Sequence, residues 1–297
     1  SHAASYGLVA YQTAYFKANF PVEYMTAVMS AESGDLEKVA EAVNEARAMG
    51  IEVTGPDVNE SNASFAITGP KNIRFGLSAV KNLGEDTIRA ILDERNAHGH
   101  YPNLTEFLTR IPERAVHRRA VESLVRSGGL DHLGDRGQLL AGIEAMLEFG
   151  RRQHEQTDIR QVALFATTPG MATFKLPDAP PITPQTRLAD EKEFLGLYLS
   201  GSPLAPYRSA LAPLLAESSK ELMRVAGVIT TIKKLFTKKH EPMMFVTLEG
   251  DTRVDLVVFP STLRATTDLW VPDAILLVEA HPSEQSRDAR LIVDRAW

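Results

Sequence analysis

From Leu222 onward the apolar residues alternate, whereas before it they recur at helical spacing, and this change of period limits the architecture more than any other feature. The alternation predicts strands at about residues 223–235, 242–249, 253–259, 274–281 and 289–294, with a short helical piece near 260–267. Five strands with a helix between the third and fourth outline an OB-fold barrel. Phe245 and Phe259 are expected in its core rather than on a stacking surface. The first hairpin carries Lys233, Lys234, Phe236, Lys238, Lys239 and His240. Four lysines and an aromatic at that loop suit single-stranded nucleic acid, through phosphate contacts and base stacking. A hairpin tip that only keeps the chain soluble has the same composition.

The N-terminal two-thirds reads as mostly α. Leu8, Tyr11 and Tyr15, then Tyr24, Val28 and Met29 after Pro21, recur near helical spacing and predict two helices broken at Pro21. Asp35 is placed to cap a third helix, with Leu36, Val39, Ala40, Val43 and Ala46 on one face and Gly50 as its stop. Ile51 to Val53 reads as a strand, and Thr68-Gly69-Pro70 as the turn of a small hairpin. Then Ser78-Ala79-Val80 leads through Lys81-Asn82-Leu83-Gly84 into a helix opening on Glu85 and Asp86, with Ile88, Ile91 and Leu92 inward and Gly99 as its end. A short helix, a tight Asn/Gly turn and a second helix form a helix–hairpin–helix, whose turn amides and helix N-terminus suit a phosphate. A plain αα-turn has the same local pattern.

A second such unit follows. A helix over 114–127 leads to Gly128-Gly129, and Asp135 caps a helix with Leu139, Leu140, Ile143, Met146 and Leu147 inward. Arg114, His117, Arg118, Arg119, Arg126 and Arg136 make the region locally basic, diluted by Glu113, Glu122 and Asp131. Tandem hairpins with basic flanks suit a duplex backbone, which is held without base contacts.

Gly150-Arg151-Arg152 is expected to end that helix. Gln161-Val162-Ala163-Leu164-Phe165 follows, and then a run holding Pro169, Pro177, Pro180, Pro181 and Pro184. An amide for a pocket rim and two large apolar side chains for its interior make a docking peptide, which an irregular linker would display. Spacing alone fits equally well with local packing against the preceding helix. Asp190 to Leu199 reads as a further amphipathic helix, and Tyr207, Leu211, Leu214 and Leu215 as another.

The 297 residues hold no cysteine, which excludes disulfides and thiolate metal sites and suits a reducing compartment, the cytoplasm. A net charge of −6 speaks against a uniformly basic coat but leaves room for local basic patches. No apolar run nears the ~18 residues that span a bilayer, so no membrane partner is expected. Because residue 1 is Ser and the text opens inside a helical pattern, the chain is expected to be a piece of something longer.

Four stretches carry a resemblance to the bacterial C-family replicative polymerases, the DNA polymerase III alpha subunits. Ser1-His2-Ala3-Ala4-Ser5-Tyr6 with Tyr11-Gln12-Thr13-Ala14-Tyr15 resembles their fingers region, and 76–84 their helix–hairpin–helix entry. Arg126-Ser127-Gly128-Gly129-Leu130-Asp131 is similar to their second hairpin. Glu191-Lys192-Glu193-Phe194-Leu195-Gly196-Leu197-Tyr198-Leu199-Ser200-Gly201 is similar to a stretch specific to the family. Two positions depart from the pattern: Ser202 stands where many relatives have His, and Asn82 where a hairpin often has Gly.

The resemblance implies four parts. These are a helical end of the fingers with a small hairpin (1–75), tandem helix–hairpin–helix units (76–150), a clamp-binding peptide with Pro-rich linker and packing helices (151–221), and a five-stranded OB-fold barrel (222–297). It implies duplex contacts at Lys81, Asn82, Leu83, Gly84, Arg118, Arg119, Gly128 and Gly129. Gln161, Val162, Ala163, Leu164 and Phe165 would dock a sliding clamp, and Lys233, Lys234, Phe236, Lys238 and Lys239 would contact single-stranded template. Other holoenzyme subunits are further implied partners. Polymerase chemistry needs carboxylates that hold two metal ions. The sequence has no Asp-x-Asp pair, so no catalytic residue, metal or cofactor is expected here, and Mg2+ would belong to a palm upstream. A freestanding, non-catalytic, clamp-tethered DNA-binding protein is the alternative reading.

Overall fold

The computed structural model describes residues 2–162, 173–216, 222–250, 253–282 and 290–297. The backbone divides into two compact units, residues 1–200 and 201–297.

The first unit opens with α1 (His2–Asn19) and α2 (Pro21–Ala31), broken at Pro21 as expected. Proline at the first helical position loses nothing, because that amide has no partner within the helix anyway. Of these two helices only α2 has a buried stripe, Val22, Met25 and Met29. In α1 the expected stripe faces water: Leu8, Tyr11 and Tyr15 are all exposed. Asp35 caps α3 (Leu36–Ala48) by accepting from the amides of Glu37 and Lys38, and Val39, Val43 and Ala46 are fully buried beneath it. Each large apolar side chain withdrawn from water in this way contributes about 1.5–3 kcal/mol.

Next come β1 (Glu52–Thr54), β2 (Ala66–Gly69) and β3 (Asn72–Arg74), in the order β1-β3-β2. The outer pairings are parallel for β1 and antiparallel for β2. Ile73 and Phe75 lie wholly inside, and the rings of Phe65 and Phe75 meet at 4.7 Å.

The short helix expected at 78–80 is a single 3-10 turn, Leu77–Ala79. It leads through the Asn82 turn into α4 (Glu85–His98), which Gly99 closes. The helix α5 (Leu104–Arg110) carries no periodic signal long enough to predict it, although Asn103 caps it through the amide of Glu106. A helix starting at Arg114 is also corrected. Residues Glu113–Ala115 make a 3-10 turn, and α6 (Arg118–Ser127) begins only after His117, whose imidazole accepts from the amide of Ala120. Beyond it, Gly142 divides the expected single helix into α7 (Arg136–Ala141) and α8 (Ile143–Val162).

Gly150 does not end α8, which runs on to Val162. A Cβ at Gly150 would stand 3.3 Å from the carbonyl oxygen of Leu108, so this glycine lets α8 lie close against α5. The last turns of α8 therefore include Gln161 and Val162, while Ala163, Leu164 and Phe165 lie outside the described residues.

The proline-rich run returns across this body. The amide of Phe174 donates to Thr105 Oγ1 at 3.0 Å, and its ring meets Phe149 at 5.2 Å. Pro184 belongs to the helix that follows, α9 (Pro184–Leu195), as its first residue behind the Thr183 cap. The helix expected at 190–199 thus starts earlier and stops at Gly196, whose φ of 81° is left-handed. One buried cluster joins residues from Val22 to Leu197.

The second unit holds α10 (Arg208–Ala216) and a closed barrel of β4 (Met223–Phe236), β5 (Pro242–Glu249), β6 (Arg253–Val258), β7 (Ile275–Pro282) and β8 (Arg290–Ala296). Between β6 and β7 lie α11 (Pro260–Ala265) and a 3-10 turn, Thr267–Leu269. The strand order is β4-β5-β6-β8-β7, with β6 and β8 parallel and β4 closing onto β7. That connectivity is the OB-fold, and it follows from period-two patterning with β4 long enough to serve two neighbours. Ile229, Val246, Leu248, Leu256, Val258 and Val278 fill the interior. Among the described residues, no helix is long and apolar enough to cross a membrane.

Candidate nucleic-acid interface

The first hairpin turn is held from three sides. Asn82 adopts φ 65°, the left-handed conformation that asparagine tolerates, so its departure from glycine costs little. Its side-chain oxygen also accepts from Arg119 Nη2 at 2.6 Å, a contact glycine could not make. The amide of Lys81 donates to the carbonyl of Phe194 at 2.9 Å. Below, Thr87 Oγ1 donates to the carbonyl of Ala115 at 3.0 Å. Helix α4 then starts at Gly84 with no side chain bonded to its first amides. Such an N-terminus accepts an anion, although Glu85 and Asp86 in the first turn weaken its positive end.

The second turn is built differently. Gly128 takes φ 90°, and a Cβ there would lie 2.2 Å from Arg136 Nη2. Arg136 is buried and bidentate on Asp131, at 2.6 and 2.9 Å, and also donates to the carbonyl of Arg126 at 3.2 Å. Gly129 turns its carbonyl inward to accept from the amide of Val58 at 3.0 Å. The first amides of α7 are filled by Asp135, which accepts from Gly137 and Gln138 at 2.8 and 3.2 Å.

The basic residues grouped by sequence are thus divided by the fold. Asn82 and Arg119 are brought together at the first turn. Arg118 pairs with Glu144, and Arg136 serves the second turn's own structure. Arg126 faces Glu122, Asp190 and Glu193 at 3.0, 3.4 and 3.7 Å, and covers the Phe194 ring at 5.6 Å. Burial pushes the Asp190 carboxyl above its ordinary range, against the pull of Arg126 and Arg136. Lys81 is exposed, 3.8 Å from Glu193.

The stretch at 191–200 braces the first hairpin. Glu191 is buried and its Oε2 accepts from the amides of Leu199 and Ser200, at 2.8 and 2.9 Å. A Cβ at Gly196 would come within 2.8 Å of the Leu36 carbonyl, so the tight turn there also needs glycine for space. The effect is to present the Phe194 carbonyl to Lys81.

In the barrel unit, β4 pairs with β7 over Met223–Val228 and with β5 over Val228–Phe236. The distal part of this hairpin therefore forms an arm past the β7 pairing. Its tip is a defined turn: His240 has φ 59°, and Thr237 Oγ1 accepts from the amides of Lys239 and Glu241. Lys233, Lys234, Phe236, Lys238 and Lys239 are all exposed, with Phe236 at 72%. Alternation nonetheless puts Lys233 and Lys234 on opposite faces of the arm, with Lys233 opposite Phe245 and Lys234 opposite Met244.

Two aromatic expectations need correction. Phe259 is 39% exposed, because it caps the end of β6 before α11 rather than entering the barrel. Phe245 projects outward between the inward-facing Met244 and Val246, with Arg290 Cζ 4.9 Å from its ring centroid. Phe245 was thus assigned to the wrong face, and Arg290 is a residue the sequence did not single out. Strict period-two counting from Val246 would have placed Phe245 on the outer face.

Comparisons with known proteins agree with these modules. A helix-hairpin-helix motif family matches residues 50–139. DNA polymerase III subunit alpha of Thermus aquaticus is 40% identical over the whole of this chain, which covers 25% of that protein. The Saccharopolyspora erythraea protein of the same name is 35% identical over 96% of this chain, covering 26% of its own length. The chain thus spans about a quarter of the length of the relatives it matches. A mitochondrial single-stranded DNA binding protein of S. cerevisiae aligns with 27% of the chain at 12% identity and a TM-score of 0.23, too slight a likeness to bear on the reading.

Proposed function

From a relationship to DNA polymerase III alpha subunits that takes in the whole of this chain and a quarter of their length, we infer that it is a DNA-binding portion of a replicative polymerase. The observation that carries this reading is one chain holding both a helix–hairpin–helix unit and a closed five-strand barrel. The first hairpin, with Lys81, Asn82, Gly84 and Arg119, holds duplex backbone. The uncapped start of α4 and the exposure of Lys81 support that role. The second hairpin, with Arg118, Gly128 and Gly129, contributes shape more than charge at its turn, since Arg136 is buried on Asp131 there. Single-stranded template is held by the lysine arm of the barrel.

Gln161, Val162, Ala163, Leu164 and Phe165 dock a sliding clamp, and other holoenzyme subunits assemble around the same polypeptide. This part rests on residue chemistry and on the family resemblance. DNA synthesis belongs to the whole polymerase, and its magnesium-holding carboxylates are not assigned to this chain. Among the described residues no group of three or more His, Cys, Asp or Glu is placed to hold a metal ion.

The reading is tested with a Gln161→Ala, Phe165→Ala double variant. It should no longer co-elute with the sliding clamp while still binding primed template, and neither protein should extend a primer with magnesium and nucleotides. Clamp co-elution by the double variant would remove the docking role, and primer extension would place a catalytic site within this chain.

A further inference from the structure

Resting on the reading of the barrel as a single-strand-binding module, we propose that Phe245 is a base-stacking platform of that module, with Lys233 set beside it for the adjoining phosphate. The strand register places Phe245 on the outer face, in a row that runs Lys233, Phe245, Val257, Ile292 across β4, β5, β6 and β8. Val257 is buried and Ile292 partly buried, so the ring stands beside a firm aliphatic floor with an exposed lysine on its other flank. An outward, partly exposed phenylalanine adds nothing to the barrel's interior, which closes without it.

The ring already accepts a planar partner. The Arg290 guanidinium lies over it at 4.9 Å, a geometry in which a flat cation meets the negative face of an aromatic. A nucleobase also has a flat face, and every base has one, so a base that takes the guanidinium's place on the ring is held without regard to sequence. The neighbouring row carries charge of both signs, through Asp255 and Arg290. Thr247 Oγ1 donates to Asp255 Oδ1 at 2.8 Å, which fixes a carboxylate on the β6 side. Arg290 is the register partner of that carboxylate, so the phosphate contact is assigned to the exposed Lys233 on the other flank of the ring. The strip continues along the arm through Leu235, 41% exposed, and its partner Met243.

The test uses the full chain, an oligothymidylate and an abasic sugar-phosphate strand of equal length, with affinities measured across a salt series. Phe245→Ala and Phe245→Leu should each weaken oligothymidylate binding by roughly five- to 150-fold. Neither should alter the salt slope or the abasic affinity, both should remain folded, and Phe245→Trp should restore binding. Lys233→Glu should weaken both strands and flatten the salt dependence. If both Phe245 variants bind oligothymidylate as the parent does, or lose the two strands equally, the platform is refuted while the lysine arm stands. If the parent chain binds neither strand, the barrel reading itself fails.

Discussion

In the first hairpin, α4 begins at Gly84 with no side chain over its amides; in the second, α7 begins at Asp135, whose carboxylate occupies them. The first turn bends through Asn82 and turns its side chain to Arg119, whereas the second bends through Gly128 and encloses Arg136 on Asp131. Similar sequence ingredients therefore give one turn that can receive an anion and one already satisfied by the chain's own charges. A basic composition does not measure a binding surface. What counts is how many cations the fold leaves facing water, because each buried cation must find a carboxylate or carbonyl within the protein.

The largest effect should come from dismantling the closed turn. Arg136→Ala removes a buried bidentate pair and should cost about 2–3 kcal/mol, less than a wholly buried pair because Asp131 is partly exposed. Urea denaturation reads this directly, and an unchanged midpoint would mean that Arg136 is not the clasp its geometry describes. Exchanging the caps should act less on stability and more on binding. Asp135→Ala should lose about 1 kcal/mol of stability and leave duplex affinity unchanged or higher. Gly84→Asp should put a carboxylate over the first amides of α4, holding stability but weakening duplex affinity, measured by anisotropy at fixed salt. Equal losses of affinity in both variants would erase the distinction between the turns.

The smallest effect concerns Asp190, between the two hairpins in the Arg126 cluster. Burial raises its pKa, so the folded state holds this proton more tightly than the unfolded chain. Its contribution is fully present below the ordinary carboxylate value of 3.8 and is lost as pH rises through the raised folded value. Asp190→Asn should remove that decline, so its urea midpoint should gain on the parent's from pH 4 to pH 7, while Arg126 keeps Glu122 and Glu193. A gap that does not change with pH would show that Asp190 does not titrate as its burial implies.

Much of this was legible in the residues. Strict alternation after Leu222 placed all five barrel strands, because a one-residue slip would turn the whole core outward. Asp35 and Asp135 marked helix starts correctly, since their carboxylates satisfy amides that no other nearby group reaches. Glycine and proline were less readable. Gly150 signalled a stop but serves helix packing, and Pro184 signalled a linker but opens a helix. Both residues are tolerated for two opposed reasons, and only the neighbours decide between them. Phe245 was misread because hydrophobicity was allowed to outweigh its position in the strand.

The sequence by itself determined the order of modules, the helical and strand periods, the hairpin turns and the family resemblance, because these depend on local spacing and local backbone preference. The tertiary structure decided which charges are spent internally, which hairpin turn keeps its helix amides open, and that Lys233 and Arg290 flank the Phe245 ring. Those properties depend on partners distant in the chain: Glu193 and Asp190 for Arg126, Arg119 for Asn82, and Arg290 for Phe245. Residues so far apart in sequence become neighbours only when the elements carrying them pack, and no local pattern records that choice.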